Sequence, residues 1–361
     1  MLIDISTALP PYKVNQSLAA SELKKRMGGT SAISRMIDMA ANQSGIDHRY
    51  FVIQDGEENS SDKFYTKNDL HFSPDTKTRM NEYEKWSVYL TKQAVRDLSE
   101  KNKIDFGSID RLITISCTGF FAPGLDYELI KEFNISPNVK RTNIGFMGCA
   151  AALVGMNSVW EAMKQNENEN VLMVAVELCS LHLQIEPTRD NILANMIFAD
   201  GAAAAFFSKK YNSDRIILEI QFAESFLFED SAKFMGWKIG NNGFEMMLSS
   251  ELPKIILNSA TPKAKEILTK KGIDISSINH WALHPGGRAI LDSLQSGLSL
   301  SDEQLKPSRD VLKNNGNLSS VSILFVLKKF LENVNLKKDD YLCAIAFGPG
   351  LTMELVLFKV V

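Results

Sequence analysis

The chain has 361 residues, of which 45% are hydrophobic and 23% charged, as in an ordinary globular protein with a core large enough for two domain-sized halves. Its formal net charge of -3 and pI near 6.0 argue against a large nucleic-acid-binding surface. No apolar run reaches membrane-spanning length, and the first residues lack a secretion signal. We therefore expect a soluble cytoplasmic protein with neither a membrane nor a nucleic-acid partner.

The cysteines lie far apart in the chain and form no C-x-x-C pair or Cys/His cluster of the kind that binds zinc. We therefore predict that the protein has no metal site. Free thiols in a chain of this size are typical of a reducing cytoplasm, although an even number also permits disulfides. The four are Cys117, Cys149, Cys179 and Cys343.

The N-terminal part of the chain mixes helical and loop signals. Residues 1–74 contain the breaker Gly28-Gly29 and the polar run 55–62, and we interpret them as a cap over the remaining fold. A long helix is predicted over 76–101, because apolar side chains recur there at three- and four-residue steps. These side chains are Trp86, Leu90, Ala94, Val95 and Leu98.

Beyond this helix one pattern occurs twice: an apolar run, a helix-like stretch and a second apolar run. In the first copy the apolar runs are 112–117 and 171–176. In the second copy they are 278–283 and 341–347, around a helix-like stretch that begins near Ser320. Two strand-helix-strand units with matching spacing predict an internal pseudo-twofold axis.

This duplication divides the chain into two halves, 1–208 and 209–361, and each half closes with a glycine turn followed by a strand. No stretch is rich enough in Pro, Gly or Ser to separate independent domains. Because strands alternate with helices, we predict an α/β layered architecture whose sheets are partly parallel and buried on both faces.

Cys149 is the candidate nucleophile. It follows Gly148 and precedes a run of alanines at the predicted start of a helix. A helix N-terminus lowers the pKa of a thiol by stabilising the thiolate, and the small neighbours leave room for a substrate carbonyl. The alternative, a buried structural cysteine, is the interpretation that we give to Cys117, Cys179 and Cys343.

His284 and Asn317 are the candidate partners of Cys149. His284 ends a predicted strand and precedes Pro-Gly-Gly, and Asn317 lies 33 residues later, close to the 32-residue spacing between Cys117 and Cys149. The pseudo-twofold axis would bring Cys149 and Asn317 together at facing helix starts. Together the three side chains supply a thiolate, its base and a hydrogen-bond donor to an oxyanion. Asn317 as a simple helix cap is the alternative, and the other four histidines are interpreted as packed or surface residues.

These residues lie in segments that resemble the signatures of the type III polyketide synthases, the chalcone and stilbene synthase family. The resemblance extends from about Tyr83 to the C-terminus and is weak before that. Its main segments are Arg141-Thr-Asn-Ile-Gly-Phe-Met-Gly-Cys149-Ala-Ala, Leu283-His284-Pro-Gly-Gly, Gly316-Asn317-Leu-Ser-Ser and Phe347-Gly-Pro-Gly-Leu-Thr.

The resemblance implies a thiolase-like fold of five layers, α-β-α-β-α, and a homodimer with Cys149, His284 and Asn317 as the catalytic triad. In that family the Cys149 thiolate, kept ionised by His284, would take an acyl group from a coenzyme A thioester. Malonyl-CoA would then lose CO2 while His284 and Asn317 stabilise the enolate oxygen, and the carbanion would attack the Cys149 thioester. Coenzyme A thioesters are thus substrates, and no bound cofactor is expected.

The resemblance also assigns residues to the substrate cavity. Phe198 matches an aromatic residue between the CoA tunnel and the reaction cavity, and Met246 stands near a second such position, with Phe244 close to it. Cys117 or Thr118 occupies the place that matches His284 in the first half and would line the cavity. The loop Gly348, Pro349 and Gly350 would shape the space for cyclisation.

Two departures from the family pattern concern the substrates. Ala122 stands where plant members carry a methionine that crosses the dimer interface, so a wider cavity and a fatty acyl starter are one interpretation. The basic CoA-binding cluster is incomplete: Arg35 and Arg49 are candidates, but the lysines expected between them are missing. A carrier protein, instead of free CoA, is therefore an alternative donor of the starter.

Three functions remain open at this point. The first is iterative condensation to a pyrone, a resorcinol or a similar small polyketide. The second is the single condensation of a ketoacyl-acyl-carrier-protein synthase III-like enzyme, which shares the fold and triad but usually carries Gln-Ala-Asn where this chain has Pro285-Gly286-Gly287. The third is a non-catalytic thiolase-fold partner subunit, which the intact triad disfavours.

Overall fold

The computed structural model describes residues 1–28, 30–55, 64–65, 73–209, 216–333 and 336–361. The strands within them are Leu2–Ala8 (β1), Tyr12–Asn15 (β2), His48–Phe51 (β3), Arg111–Ser116 (β4), Lys140–Gly145 (β5), Val171–Leu178 (β6), Asp200–Phe207 (β7), Leu218–Leu227 (β8), Met235–Gly240 (β9), Gly243–Leu248 (β10), Ile278–Leu283 (β11), Tyr341–Gly348 (β12) and Thr352–Val360 (β13). The α-helices are Gln16–Arg26 (α1), Ser31–Gln43 (α2), Thr76–Asn102 (α3), Leu125–Phe133 (α4), Ala151–Gln165 (α5), Arg189–Ile197 (α6), Leu252–Ile255 (α7), Thr261–Lys270 (α8), Arg288–Leu298 (α9), Asp302–Asn315 (α10) and Ser322–Asn333 (α11).

The main sheet repeats one strand order in its two halves. Its order is β11-β12-β13-β8-β1-β7-β6-β4-β5, and the halves join where Leu2 of β1 pairs with Leu218 of β8. In the first half β4 is parallel to β6, and β6 is antiparallel to β7; in the second half β11 is parallel to β12, and β12 is antiparallel to β13. Helices α5 and α11 precede the corresponding strands β6 and β12, as the duplicated pattern predicted.

Three apolar clusters separate the layers. The central cluster contains α5 and α11 between the two half-sheets, including Leu153 and Leu324. An outer cluster packs α3 and α4 on the first half, and another packs α8, α9 and α10 on the second. Because alternate side chains of a strand point to opposite faces, Ala203 of β7 joins the central cluster while Ala204 joins an outer one.

The predicted helix over 76–101 is confirmed as α3. The interpretation of 1–74 as a cap is wrong for its first strand, because β1 lies inside the main sheet between β7 and β8. The two-stranded sheet of β2 and β3 does lie outside the main sheet, and so do the helices α1 and α2, which pack against α6. Most of the polar run 55–62 and His71 lie outside the described residues. None of the helices in the described part of the chain is long and apolar enough to cross a membrane.

Candidate active site

Cys149 lies in a turn that is held very closely by the opposite half of the chain. A 3-10 turn, Gly148–Ala150, connects β5 to α5. Gly148 has φ +59, and a Cβ at this position would lie 2.4 Å from Cδ of Pro349. Only glycine satisfies both the left-handed backbone and this contact. The Cys149 Sγ lies 3.8 Å from the Oγ of Ser319, at the turn before α11.

His284 follows β11 directly and is anchored through its backbone, whose N–H donates to the carbonyl of Ile345 at 2.9 Å. The side chain is buried, and neither ring nitrogen has a hydrogen-bond partner within the described residues. Burial lowers the pKa of His284 to about 3, so the ring is neutral at pH 7. A neutral imidazole carries one donor and one acceptor nitrogen, and both are available to a substrate.

Asn317 follows α10 and is fixed at its backbone and at its side chain. Its N–H donates to the carbonyl of Ile197 at 2.8 Å, and its carbonyl accepts from Ala199 at 2.9 Å. Its Nδ2 donates to the carbonyl of Gly286 at 3.2 Å, and its Oδ1 accepts from the N–H of Ser319 at 2.9 Å. The amide donor is therefore held beside the loop that follows His284.

The structure brings Cys149, His284 and Asn317 together in the wall of one cavity of about 310 Å³. Phe198 and Met246 line the same cavity. The three candidate residues come from three separate elements, the turn before α5 and the ends of β11 and α10, so only the fold places them side by side.

A smaller compartment of about 60 Å³ lies on the other side of Cys149. Cys149, Phe198 and Met246 line both spaces, so they lie at the boundary between them. Of the other predicted cavity residues, Cys117, Thr118 and Pro349 line the smaller compartment.

Gly348 and Gly350 are not among the residues that line either space. Gly348 packs instead against the turn Gly148–Ala150, which we call the nucleophile turn after its candidate nucleophile Cys149. A Cβ at Gly348 would lie 2.6 Å from the carbonyl oxygen of Met147, the residue before this turn. Gly348 thus allows the loop to approach the turn, while Pro349 faces the compartment.

An aromatic floor closes the smaller compartment. Phe244 is buried and stacks on His182 with ring centroids 4.2 Å apart. The N–H of Phe244 donates to His182 Nδ1 at 3.0 Å, so the Nε2 of His182 is the protonated nitrogen and donates to the carbonyl of Thr118 at 2.7 Å. Trp237 donates to the carbonyl of Cys117 at 2.7 Å. His182 is therefore a packed histidine, as expected, although it also lines the compartment.

Glu177 is a buried carboxyl group beside the site, and it was not among the residues predicted to belong to the site. It accepts hydrogen bonds from the N–H of Cys117 at 3.0 Å, from the hydroxyl of Thr118 at 2.8 Å and from the hydroxyl of Ser320. Burial raises the pKa of Glu177 to about 7. A glutamate in the otherwise apolar strand Val171–Leu178 was the signal that could have identified it.

The thiol of Cys149 does not have the lowered pKa that its helix position predicted. Burial is the main cause of a pKa raised to about 12 for Cys149; the nearby Glu177 acts in the same direction, and hydrogen bonds from Ser319 and Asn317 only partly oppose these effects. Removal of the thiolate from water therefore outweighs the helix terminus. In the free protein Cys149 and His284 are both neutral at pH 7.

The two arginines that were considered for CoA binding occupy very different places. Arg35 is exposed on α2, but Arg49 is buried, so Arg49 as a CoA-binding residue is wrong. The larger cavity instead carries Arg189 and Arg288 in its lining, and both side chains are exposed.

The described residues contain no group of three or more His, Cys, Asp or Glu side chains arranged to hold a metal ion. All four cysteines are free thiols.

Two family models together match residues 38–361. The model of the FAE1/type III polyketide synthase-like proteins matches 38–220, and the model of the C-terminal domain of chalcone and stilbene synthases matches 219–361. The boundary between them falls close to the predicted boundary between the two halves of the chain.

Individual relatives agree with these models. The chain is 30% identical to a putative chalcone synthase of Bacillus subtilis over 99% of its own length and 98% of that protein. It is 32% identical to the alpha-pyrone synthesis polyketide synthase-like Pks18 of Mycobacterium tuberculosis, over 70% of this chain and 65% of that protein. The crystal structure of PKS-I from the brown alga Ectocarpus siliculosus superposes with a TM-score of 0.91 and 29% identity, over 100% of this chain and 98% of that chain.

The predicted thiolase-like fold and iterative condensing activity are confirmed by these matches, and nothing in them favours the single-condensation alternative. The chain therefore belongs to the chalcone and stilbene synthase family, the type III polyketide synthases, which are acyltransferases that condense acyl units with malonyl-CoA.

Proposed function

We propose that Cys149 carries the growing acyl chain and that His284 and Asn317 form the oxyanion site of this polyketide synthase. The observation that supports these roles is their common position in the wall of one cavity. The two halves of the chain, 1–208 and 209–361, then divide the work. The first half supplies the nucleophile, and the second supplies both hydrogen-bond donors.

Loading begins from a neutral pair. As the Cys149 sulfur attacks the thioester carbonyl, its proton passes to the free ring nitrogen of His284. Neither charge is stable alone in this buried site, but the thiolate and the imidazolium stabilise each other when they form together. The tetrahedral intermediate collapses, the C–S bond to the departing carrier breaks, and His284 returns the proton to the leaving thiolate.

Extension uses the same donors in a different role. Malonyl-CoA loses CO2, and the electron pair of the broken C–C bond forms an enolate whose oxygen accepts hydrogen bonds from His284 Nε2 and Asn317 Nδ2. Fixed donors interact weakly with the neutral thioester and strongly with the enolate, so they lower the barrier. The enolate carbon then attacks the acyl-Cys149 thioester, the C–S bond breaks, and Cys149 leaves as the thiolate. The product is a CoA thioester that is two carbons longer. The Cys149 thiolate attacks this thioester in turn, releases CoA and carries the lengthened chain into the next cycle.

The substrates are thioesters of coenzyme A that enter through the larger cavity. The exposed Arg189 and Arg288 in its lining are suited to the phosphates of CoA, and they replace the lysines that the sequence lacks.

Carrier-protein delivery of the starter is a second route. It is suggested by the lysines that are missing between Arg35 and Arg49, where the family carries its basic CoA-binding cluster. A comparison of kcat/KM for an acyl-CoA with kcat/KM for the same acyl group on a carrier protein distinguishes the two routes.

The starter is a fatty acyl group. A third cavity, of about 120 Å³, lies behind the small compartment and shares Cys179, Ala194, Asn195 and Phe198 with it. Its remaining lining is mostly apolar and comes mainly from α1, β3 and α6, so it fits an alkyl chain attached to Cys149. The product is an alkyl pyrone or resorcinol, in keeping with the alpha-pyrone name of the Mycobacterium tuberculosis relative.

A panel of acyl-CoA starters from about two to about sixteen carbons, incubated with malonyl-CoA and followed by mass spectrometry, tests this assignment. Long-chain starters that are extended more than once support it. A single extension contradicts the iterative reaction, and the absence of any acyl-Cys149 supports a non-catalytic subunit. Ala194→Phe would narrow the passage to the third cavity, so it should suppress long starters and spare acetyl-CoA.

The enzyme acts as a cytoplasmic homodimer. Strand β5 is an end strand of the main sheet, and next to it the Phe120 side chain is 59% exposed and 6.2 Å from the Phe146 ring. An unpaired strand edge beside an exposed aromatic side chain favours association with a second copy. The four free thiols are consistent with a reducing compartment.

A further inference from the structure

Arg49 is a buried cation that lines the third cavity but has no chemical role in the mechanism above. Its side chain is only 2% exposed, although it carries a charge that is costly to remove from water. Burial lowers the pKa of Arg49 to about 9, which still leaves it charged at pH 7. Such a group is retained only where its hydrogen bonds are well satisfied, so the identity of its partners is informative.

The partners of Arg49 lie on the segment that carries Phe198. One nitrogen, Nη1, donates to the carbonyl of Asn195 at 2.7 Å and to the carbonyl of Phe198 at 2.8 Å. Its Nε donates to Oε1 of Gln16 at 2.9 Å. Gln16, also buried, donates in turn to the carbonyl of Met196 at 2.7 Å. Three backbone carbonyls within about one turn at the end of α6 are thus bonded to one buried pair.

The same segment holds Asn317. The residues on either side of Phe198, Ile197 and Ala199, make the two backbone hydrogen bonds to Asn317. Arg49 also contacts the other side of this site, because a Cβ at Gly316 would lie 2.8 Å from its Cγ. Arg49 therefore lies against the residue before Asn317 and is bonded to Phe198, which forms the backbone bridge with Asn317.

We propose that Arg49, together with Gln16, is a positioning residue that sets the location of the Asn317 amide and of Phe198. This inference rests on the proposed role of Asn317 in stabilising the enolate. The planar guanidinium has a fixed donor geometry that lysine lacks, so it orients the segment as well as holding it. A displacement of about 1 Å at a donor can reduce a rate by about 10²-fold.

The test separates the two half-reactions of the full-length enzyme. Arg49→Met removes the donors but keeps most of the aliphatic side chain. Decarboxylation of malonyl-CoA by unloaded enzyme should fall by about 10- to 100-fold. Loading of Cys149 is measured by intact mass with acetyl-CoA, a starter too short to reach the third cavity that Arg49 lines, and should change by about twofold or less. An equal loss in both half-reactions would overturn the proposal.

Arg79→Met is the matched control. Arg79 is also a buried arginine that donates to backbone carbonyls, at 2.8 Å to Pro74 and at 2.7 Å to Leu181, but its described bonds do not reach 195–199. The Arg79→Met variant should lower the melting temperature about as much as Arg49→Met does. Its rate of malonyl-CoA decarboxylation should stay within about twofold of the wild-type rate. If Arg79→Met reduces decarboxylation as much as Arg49→Met does, Arg49 has only a structural role.

A double-mutant cycle shows whether Arg49 acts through Asn317. Asn317→Ala alone should reduce decarboxylation by about 10²- to 10³-fold, and Arg49→Met should add about twofold or less in that background. Effects that multiply would overturn the positioning role. If Asn317→Ala has no effect by itself, the proposed function of Asn317 fails, which is a separate result. Should Arg49→Met not fold, Gln16→Leu replaces it in the same cycle.

Discussion

At the scale of single residues, the candidate site consists of groups that are uncharged until substrate arrives. Burial raises the pKa of Cys149 to about 12 and lowers the pKa of His284 to about 3. An isolated thiolate or an isolated imidazolium would be solvated poorly in this cavity. In the free enzyme Cys149 is therefore an un-ionised thiol, and we expect its ionisation to be coupled to the attack on the thioester.

This neutral state predicts how Cys149 reacts with iodoacetamide. Only the thiolate is alkylated, so the rate should rise by about tenfold per pH unit from pH 7 to 9 without reaching a plateau. Mass mapping of Cys149 in the free enzyme measures the rate. His284→Gln should leave the slope unchanged, because the neutral ring does not stabilise a resting thiolate. A plateau below pH 8 would show that the thiolate already exists before substrate binds.

Glu177 predicts a second pH effect. Its folded-state pKa, raised by burial to about 7, lies above that of an unfolded glutamate. The folded protein thus holds the proton more tightly, and this stabilisation is complete at low pH and lost as pH rises through 7. Relative to Glu177→Gln, which cannot ionise, the wild type should lose about 3 kcal/mol of unfolding free energy between pH 4 and 8. Urea unfolding of both proteins measures the difference; a gap independent of pH would contradict the assignment.

At the scale of elements, the nucleophile turn and the loop after β12 form one close contact between the two halves. Gly148 faces Pro349, and Gly348 faces the carbonyl of Met147. Each glycine removes a side chain that would separate the two segments. The position of Cys149 relative to the second half therefore depends on residues with no reactive groups of their own.

Gly148→Ala should show this dependence. It combines a left-handed backbone, which costs about 1–2 kcal/mol for a residue with a Cβ, with a steric clash that costs about 1–3 kcal/mol. The rate at which Cys149 is loaded with an acyl group should also fall in this variant. Gly272→Ala is the control, since Gly272 has φ +75 but no atoms within 4 Å of the added Cβ. The control should lose about 1 kcal/mol in urea unfolding and no loading activity. Equal losses in the two variants would rule out the contact with Pro349 as the cause.

At the scale of the whole molecule, the two halves have corresponding strand orders and, in the function proposed above, different roles. Their strand orders correspond, but the first half ends its sheet with the additional strand β5. This strand and Phe120 beside it leave an edge that a second copy can cover. The duplication thus accounts for the internal contact near Leu2 and Leu218, whereas the added strand accounts for the proposed contact between subunits.

Phe120→Lys tests that contact. Light scattering should give the wild type about twice the 40.3 kDa chain mass, because burying the apolar edge favours the dimer. A lysine at position 120 would place two like charges across the interface, so the variant should shift toward the monomer. Leu257→Lys is the control, as Leu257 is a partly exposed apolar residue in the outer layer of the second half. A wild type that is monomeric at all concentrations would overturn the proposed dimer.

Much of this organisation could be predicted from local patterns. The helix α3, the strands after it and the duplicated spacing of Cys149, His284 and Asn317 are visible in the sequence because periodicity and glycine turns are local properties. Strand β1 was missed because its assignment depends on pairing with β7, about two hundred residues away along the chain, and such non-local pairing leaves little local signal. Arg49 was misplaced for the same reason, since nothing beside it in the sequence indicates burial.

The sequence by itself therefore determined the family, the two halves and the three residues proposed for chemistry, because these depend on residue type and spacing. The tertiary structure alone decided that the free thiol and imidazole are neutral, that Glu177 and Arg49 are buried beside the site, and that Pro349 faces the cavity while its neighbouring glycines do not. The physical reason is that burial and hydrogen-bond partners come from segments distant in sequence, and these set the charge and position of each group.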